Sequence, residues 1–305
     1  MSENTGAIVV GVDGSEIAID AARWAAAVAA RYETSLHIVY AMPTVGRNLT
    51  ETAVAIRAAV MSYQRDFADA YLRDAADAVR SQYPELAVTT EAMKVPADEA
   101  LIQHGRTAHM IVVGSSQVSP VGALFMGSTA LAVATHAACP VVAWRGPNPV
   151  PTDQPVVVGA DGTHSSDVAL EAGFEFADRF KVKLAAVYSW AVPWPATAVA
   201  NPFLVDWDAL EAAQWVQLAG AVERANQRHP HVDASSFVEP TKPTASLLHQ
   251  VEADSAQLVV VGSRGRSSLA SSVLGSTALN LLHHSTVPVM VCRAGGDGDA
   301  PSSSG

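Results

Sequence analysis

Two kinds of hydrophobic pattern alternate along this chain. Short apolar runs at Ala7–Val12, Leu36–Ala41, Met110–Gly114 and Pro140–Trp144 are rich in valine and isoleucine. They are too short for helices and read as strands; Ala87–Ala92 reads as a weaker one. Between them apolar residues recur at helical spacing, over Ile17–Tyr32, a long segment ending near Gln82, Ala97–Ala108 and Ser128–Ala138. The first, fourth and fifth strands are apolar on successive positions, as a strand is when helices cover both faces of its sheet. Strands alternating with helices predict an α/β fold built on an open parallel sheet.

The whole pattern then occurs a second time. MIVVGSSQVSPVGALFMGST (Met110–Thr129) aligns without a gap with LVVVGSRGRSSLASSVLGST (Leu258–Thr277), 148 positions later. Asp13-Gly14 pairs with Asp161-Gly162, Tyr40 with Tyr188, and Cys139-Pro140 with Val287-Pro288. A repeat this long indicates duplicated domains rather than a solenoid. The expected organisation is one domain over residues 1–146 and a second over 155–294. A proline-rich linker, 147–154, joins them, and a low-complexity tail, 295–305, is expected to be disordered.

The most informative segment follows the fourth strand of the second copy. Its spacing is Gly262-x2-Gly265-x9-Gly275-Ser276, with Thr277 next. Strand, glycine loop and fresh helix N-terminus together make a phosphate-sized anion site, because glycine admits close backbone approach and the first helical turn has unpaired N–H groups. A tight turn without ligand is the other reading of these glycines. Arg264 and Arg266 add positive charge beside the loop, facing a phosphate or simply solvated. In the first copy Gly114, Gly127, Ser128 and Thr129 are retained, Gln117 replaces Gly265, and Ser116 and Val118 replace the arginines. If Gln117 must take a positive φ, the strain is about 1–2 kcal/mol, so the second site is expected to bind more tightly.

In an open parallel sheet, ligands bind at the carboxyl ends of the strands, where strand order reverses. Asp13 and Asp161, each ending a first strand, fall at that edge with Gly114 and Gly262. A buried unpaired carboxylate is costly, so each must either hold a ligand or serve the N-terminus of the next helix.

This strand order, the aspartate after the first strand and the Gly-x2-Gly-x9-Gly-[Ser/Thr] motif resemble the universal stress protein family in its tandem form, over about residues 6–146 and 155–294. The resemblance implies two Rossmann-like, adenine nucleotide α-hydrolase-like domains that bind ATP. In the second, Gly262, Gly265, Gly275, Ser276 and Thr277 would line ribose and phosphates, with Arg264 nearby. Asp161 would hold a ribose hydroxyl or help fix magnesium, and backbone near Tyr188 would meet adenine. Asp13, Tyr40, Gly114, Gly127, Ser128 and Thr129 would do the same in the first, with Asp13 the counterpart metal position. The resemblance further implies pairing of the two domains through their last strands, and a homodimer built on that unit.

Composition narrows the functional classes. A net charge of -11 argues against nucleic acid and anionic membrane as partners. No apolar run approaches a membrane span and no leader precedes Ala7, so the expected compartment is the cytoplasm. Cys139 and Cys292 occupy unmatched positions beside apolar strands and are expected to be buried, reduced thiols. The ten histidines show no metal-ligand spacing, and His136 and His284 fall at helix C-termini, where they favour the dipole. No Walker loop, dinucleotide fingerprint or nucleophile elbow is present. The expected function is therefore an ATP-binding stress-response regulator or sensor acting on an unidentified protein partner. A slow ATPase and a ligand-free dimerisation module are the alternatives. The copies differ most between Pro43–Phe67 and Trp190–Trp215, where Trp190, Trp194, Trp207 and Trp215 either pack in the core or form a lid over the nucleotide.

Overall fold

The computed structural model describes residues 6–42, 54–115, 127–190, 206–265 and 273–294, with backbone alone at 54–62 and at Trp207. Gln117 with its neighbours Ser116 and Val118, Arg266, Trp194 and the tail lie outside the described residues.

The first half runs β1 (Ile8–Val12), α1 (Glu16–Arg31), β2 (Leu36–Ala41), α2 (Val54–Arg80), β3 (Val88–Met93), α3 (Ala97–His104), β4 (Met110–Gly114), α4 (Ser128–His136) and β5 (Val141–Trp144). The second repeats it with β6 (Val156–Ala160), α5 (His164–Phe180), β7 (Leu184–Ser189), α6 (Trp207–Asn226), β8 (Ala234–Glu239), α7 (Pro243–Ala253), β9 (Leu258–Gly262), α8 (Ser276–His284) and β10 (Val289–Cys292). Every helix and strand expected in the first copy is present, with ends moved by a few residues, as expected where terminal turns fray.

All ten strands form one sheet in the order β3-β2-β1-β4-β5-β10-β9-β6-β7-β8. Within each half all pairs are parallel, and the halves meet through the antiparallel pair β5–β10, with Met290 opposite Val142. The inner strands β4, β5, β9 and β10 are buried almost throughout, whereas β3, at one edge of the sheet, is mostly exposed. Their polarity follows suit: MIVVG and VVAW in the middle, VTTEAM at the rim.

Helix α1 shows how the sequence sets the packing. Ser15 caps it in extended conformation, accepting from the Ala18 N–H at 3.3 Å. Ala18, Ala21, Ala22, Ala25, Ala26 and Ala29 form a small-residue face that lets the helix lie close on the sheet. Trp24 of α1 stacks on Phe176 of α5, ring centroids 6.1 Å apart, so one apolar layer runs across both halves.

The antiparallel junction has a polar clasp that linear reading did not find. Arg145, 2 % exposed, follows β5 and reaches across to the end of α8. Its Nη1 donates to the Ser285 carbonyl at 3.1 Å, and its Nη2 to the Leu282 carbonyl at 2.6 Å and the Ser115 hydroxyl at 2.9 Å. Arg293, in the matching place after β10, donates to the Thr135 carbonyl near the end of α4 at 2.6 Å. Each arginine thus satisfies carbonyls left open at the other half's last helix, where the dipole is negative. Burial lowers Arg145 to about 10, still protonated at neutral pH.

Both cysteines are free and buried, as the sequence suggests. Burial pushes the Cys139 thiol up to about 11 and the Cys292 thiol up to about 12. Thiolate is the reactive form, so alkylation of Cys139 in the native protein is expected to run about a hundredfold slower than in denaturant. Timed iodoacetamide labelling with mass spectrometry checks this; equal native and denatured rates would contradict it.

Candidate functional site

Strand order reverses between β1 and β4, and again between β6 and β9, because the chain builds outward from the first strand before crossing back. A cleft opens at the carboxyl ends of the strands at each reversal. The cleft in the second half, of ≈ 560 Å³, is lined by Asp161, Gly262, Arg264, Gly265, Gly275 and Ser276, with Thr277 beside them. Val187, Pro243, Leu247 and Val261 supply an apolar wall. The cleft in the first half, of ≈ 390 Å³, is lined by Asp13, Gly114, Gly127 and Thr129, with Val39 and Leu101 on its apolar side. Both volumes lie in the range of small-ligand sites.

Asp161 and Asp13 hold equivalent turns. Asp161 Oδ1 accepts from the Thr163 N–H at 3.0 Å and its hydroxyl at 2.6 Å; Asp13 Oδ1 does so from Ser15 at 3.0 and 2.6 Å. Neither aspartate is itself the N-cap. Thr163 and Ser15 are, each accepting from the N–H three residues on. The aspartates hold the capping residues, which aims one carboxylate oxygen at the turn. Between them Gly14 (φ 85) and Gly162 (φ 77) take left-handed backbone. A side chain there would also strike Tyr71 or Gln217.

The motif glycines have a different reason. None of Gly114, Gly127, Gly262, Gly265 or Gly275 has positive φ, so strain of that kind does not explain them. At Gly262 an added Cβ would lie 2.6 Å from Ser165 Oγ and 2.8 Å from its carbonyl carbon, and at Gly114 3.1 Å from the Ile17 carbonyl oxygen. These two let α5 and α1 press on the strand ends. At Gly265 a Cβ would come 3.1 Å from Asp161 Oδ2. The expected φ penalty for Gln117 is thus replaced, in the second half, by crowding against the aspartate.

Gly275 and Gly127 are the N-caps of α8 and α4, and neither helix start carries a side-chain cap bond. The Gly275 N–H itself donates to the Ser263 carbonyl at 2.8 Å, which folds the loop end against the start of the glycine segment. The α8 N-terminus therefore opens into the cleft that Asp161 flanks.

The two tyrosines stand apart from this cluster. Tyr188 is 1 % exposed in the core, and it is its neighbours Val187 and Ser189 that line the cleft, because side chains alternate along a strand. Tyr40 likewise lies beside Tyr71, with Val39 and Ala41 on the cleft side. Ser128 begins α4, but Gly127, Thr129 and Ala130 are the lining residues there. Trp190 packs on the core and Trp215 is exposed on α6.

Among the described residues no helix is long and apolar enough to cross a membrane. His37, Glu91 and His104, which show no ligand spacing along the chain, are brought together by the fold.

Comparison with known proteins gives a consistent picture. The model of the universal stress protein family matches residues 5–145 and again 154–293. A universal stress protein of Mycolicibacterium smegmatis is 32 % identical over 291 residues, covering 94 % of this chain and 96 % of its own. One from Mycobacterium tuberculosis H37Rv is 31 % identical over 299 residues, with the same coverage of 94 % and 96 %. The crystal structure of a universal stress protein from Archaeoglobus fulgidus superposes with a TM-score of 0.66 at 17 % identity, covering 95 % of this chain and 99 % of that one, which is a likeness of fold.

Proposed function

Because this chain belongs to the universal stress protein family, we propose that it binds ATP in its two strand-end clefts, more tightly in the second, and acts as a nucleotide-dependent regulator. Residues 1–146 and 155–294 are its working units, joined by 147–154. The observation that carries the reading is the cleft of the second half. There the α8 N-terminus, without a side-chain cap, Gly265, Gly275 and Arg264 face the same space as Asp161. Helix N–H groups and the arginine suit phosphates. The wall of Val187, Leu247 and Pro243 suits a flat apolar base.

Asp161 is the one carboxylate among the described lining residues of that cleft. Magnesium characteristically takes one or two carboxylates plus substrate phosphates, so the donor set fits an ion carried in with the nucleotide. When bound, that ion neutralises phosphate charge; Asp161 orients it or a ribose hydroxyl. Among the described lining residues Asp161 is the one side chain that could act as a general base. The output is then the surface shown to a protein partner once nucleotide fills the cleft. We place this function in the cytoplasm, in a homodimer of the two-domain unit.

Titration of the purified chain with ATP tests the reading. Asp161→Asn keeps an oxygen to accept from Thr163 but removes the charge. Wild type is expected to bind ATP, and the variant about tenfold more weakly with unchanged melting without nucleotide. No binding by wild type would reject the proposal. Equal affinities would reduce Asp161 to holding its turn.

A further inference from the structure

We propose that His37, Glu91 and His104 form a binding site for a divalent transition-metal ion at the outer edge of the first half, independent of the nucleotide clefts. His37 lies on β2, Glu91 on the edge strand β3, and His104 ends α3. Their ligand atoms all lie within 4.8 Å of one another. Glu91 Oε2 stands 3.2 Å from His37 Nε2 and 3.3 Å from His104 Nε2. Tetrahedral coordination with zinc-type bonds of about 2.0–2.1 Å separates neighbouring ligands by about 3.3–3.4 Å, close to both spacings.

The hydrogen-bonding pattern of the cluster admits a cation. His37 Nδ1 lies 2.8 Å from Thr89 Oγ1, and the Thr89 hydroxyl is turned toward the Leu36 carbonyl at 3.5 Å. With Nδ1 on Thr89, the His37 Nε2 faces the Glu91 carboxylate at 3.2 Å. Thr89 is the outer partner that fixes the tautomer of a metal-binding histidine. His104 Nε2 is sealed from solvent and faces the same carboxylate without making a hydrogen bond. Two imidazoles and a carboxylate suit zinc and related first-row ions. Glu91 is 46 % exposed, so a fourth position opens to water.

The second half supplies the contrast. In strand register Ala185 takes the place of His37 and Phe237 that of Glu91. Leu101 and Leu247 pack on the equivalent glycines Gly11 and Gly159, which puts Gln250 opposite His104. All three ligands are absent there, and two of the replacements are apolar. The duplication thus leaves a three-ligand cluster in one copy at positions its twin uses for packing. An ion here would tie α3 to the two outermost strands, and α3 also carries Leu101 into the first cleft.

The test uses the full chain, freed of any polyhistidine tag, with Zn²⁺ by calorimetry and Co²⁺ by visible absorption. One ion per chain is expected, with the intense d–d bands of tetrahedral cobalt. Glu91→Gln, at an exposed position, is expected to weaken binding by about tenfold or more, since even outer-shell losses reach that size. The double variant His37→Ala/His104→Ala is expected to abolish the cobalt bands, while His283→Ala/His284→Ala leaves them unchanged. Absence of stoichiometric binding, or binding indifferent to both cluster variants, would overturn the proposal and leave a His–Glu contact alone. Melting curves in EDTA identify a variant that fails to fold, and Glu91→Gln then decides.

Discussion

Gly275→Glu is expected to empty the second cleft of nucleotide, lowering its ATP affinity about a hundredfold or more. Gly275 starts α8 where the unpaired N–H groups face the cleft, so a glutamate there sets a carboxylate where phosphate is expected. Like charges at that distance repel by about 3 kcal/mol at intermediate dielectric, which converts to roughly a hundredfold. A Cβ at this position also comes 3.3 Å from the Arg264 Cα and the Ser263 carbonyl oxygen, so the turn must give slightly. The fold is expected to survive, because a poor N-cap costs only about 1 kcal/mol. The readout is adenine nucleotide released per chain on denaturation, beside ATP titration and a melt without nucleotide. Gly127→Glu is the matched change in the first half, where an added Cβ meets no described atom within 4 Å. It is expected to cost the smaller share of bound nucleotide. The opposite ranking would make the first cleft the tighter one and reject the proposed asymmetry.

Arg145→Ala is expected to destabilise the chain by about 3 kcal/mol. The alanine removes three hydrogen bonds from a charged donor and leaves two carbonyls of the α8 terminus open in a buried place. Each bond to a charged group contributes about 1.5–3 kcal/mol, but desolvating the guanidinium offsets part of the total. Arg293→Ala, half-buried, losing the bond to the Thr135 carbonyl, is expected to cost about 1 kcal/mol. Urea unfolding measures both; a lower midpoint at constant slope reports stability alone. Splitting into two transitions on Arg145→Ala would show that the clasp couples the halves. A change under about 0.5 kcal/mol would mean that β5–β10 pairing and the Trp24–Phe176 layer hold the junction without it.

What the sequence determined by itself was whatever depends on local pattern. Runs such as Met110–Gly114 and Leu258–Gly262 could only be buried strands, and the Ala-rich spacing of Glu16–Arg31 could only be a helix lying on a sheet. The repeat made two such units, and alternation of strands and helices placed Asp13, Asp161 and the glycine segments at one edge. Tertiary structure decided the rest, because the rest depends on which surfaces meet. The motif glycines read in sequence as places where backbone approaches a ligand, yet Gly262 is required by the approach of Ser165, almost a hundred positions away. Tyr188 matched Tyr40 in the repeat, but strand alternation turns both side chains away from the clefts and gives the lining to their neighbours. Arg145 is unremarkable in sequence; it becomes a clasp because antiparallel β5–β10 pairing carries it over the other half's last helix. His37, Glu91 and His104 have no meaningful spacing along the chain. They meet because β2–β3 register sets Val39 opposite Glu91 while α3 returns over the same face. Periodicity fixes the face a residue takes within its own element; register and helix packing fix which distant residue stands across from it.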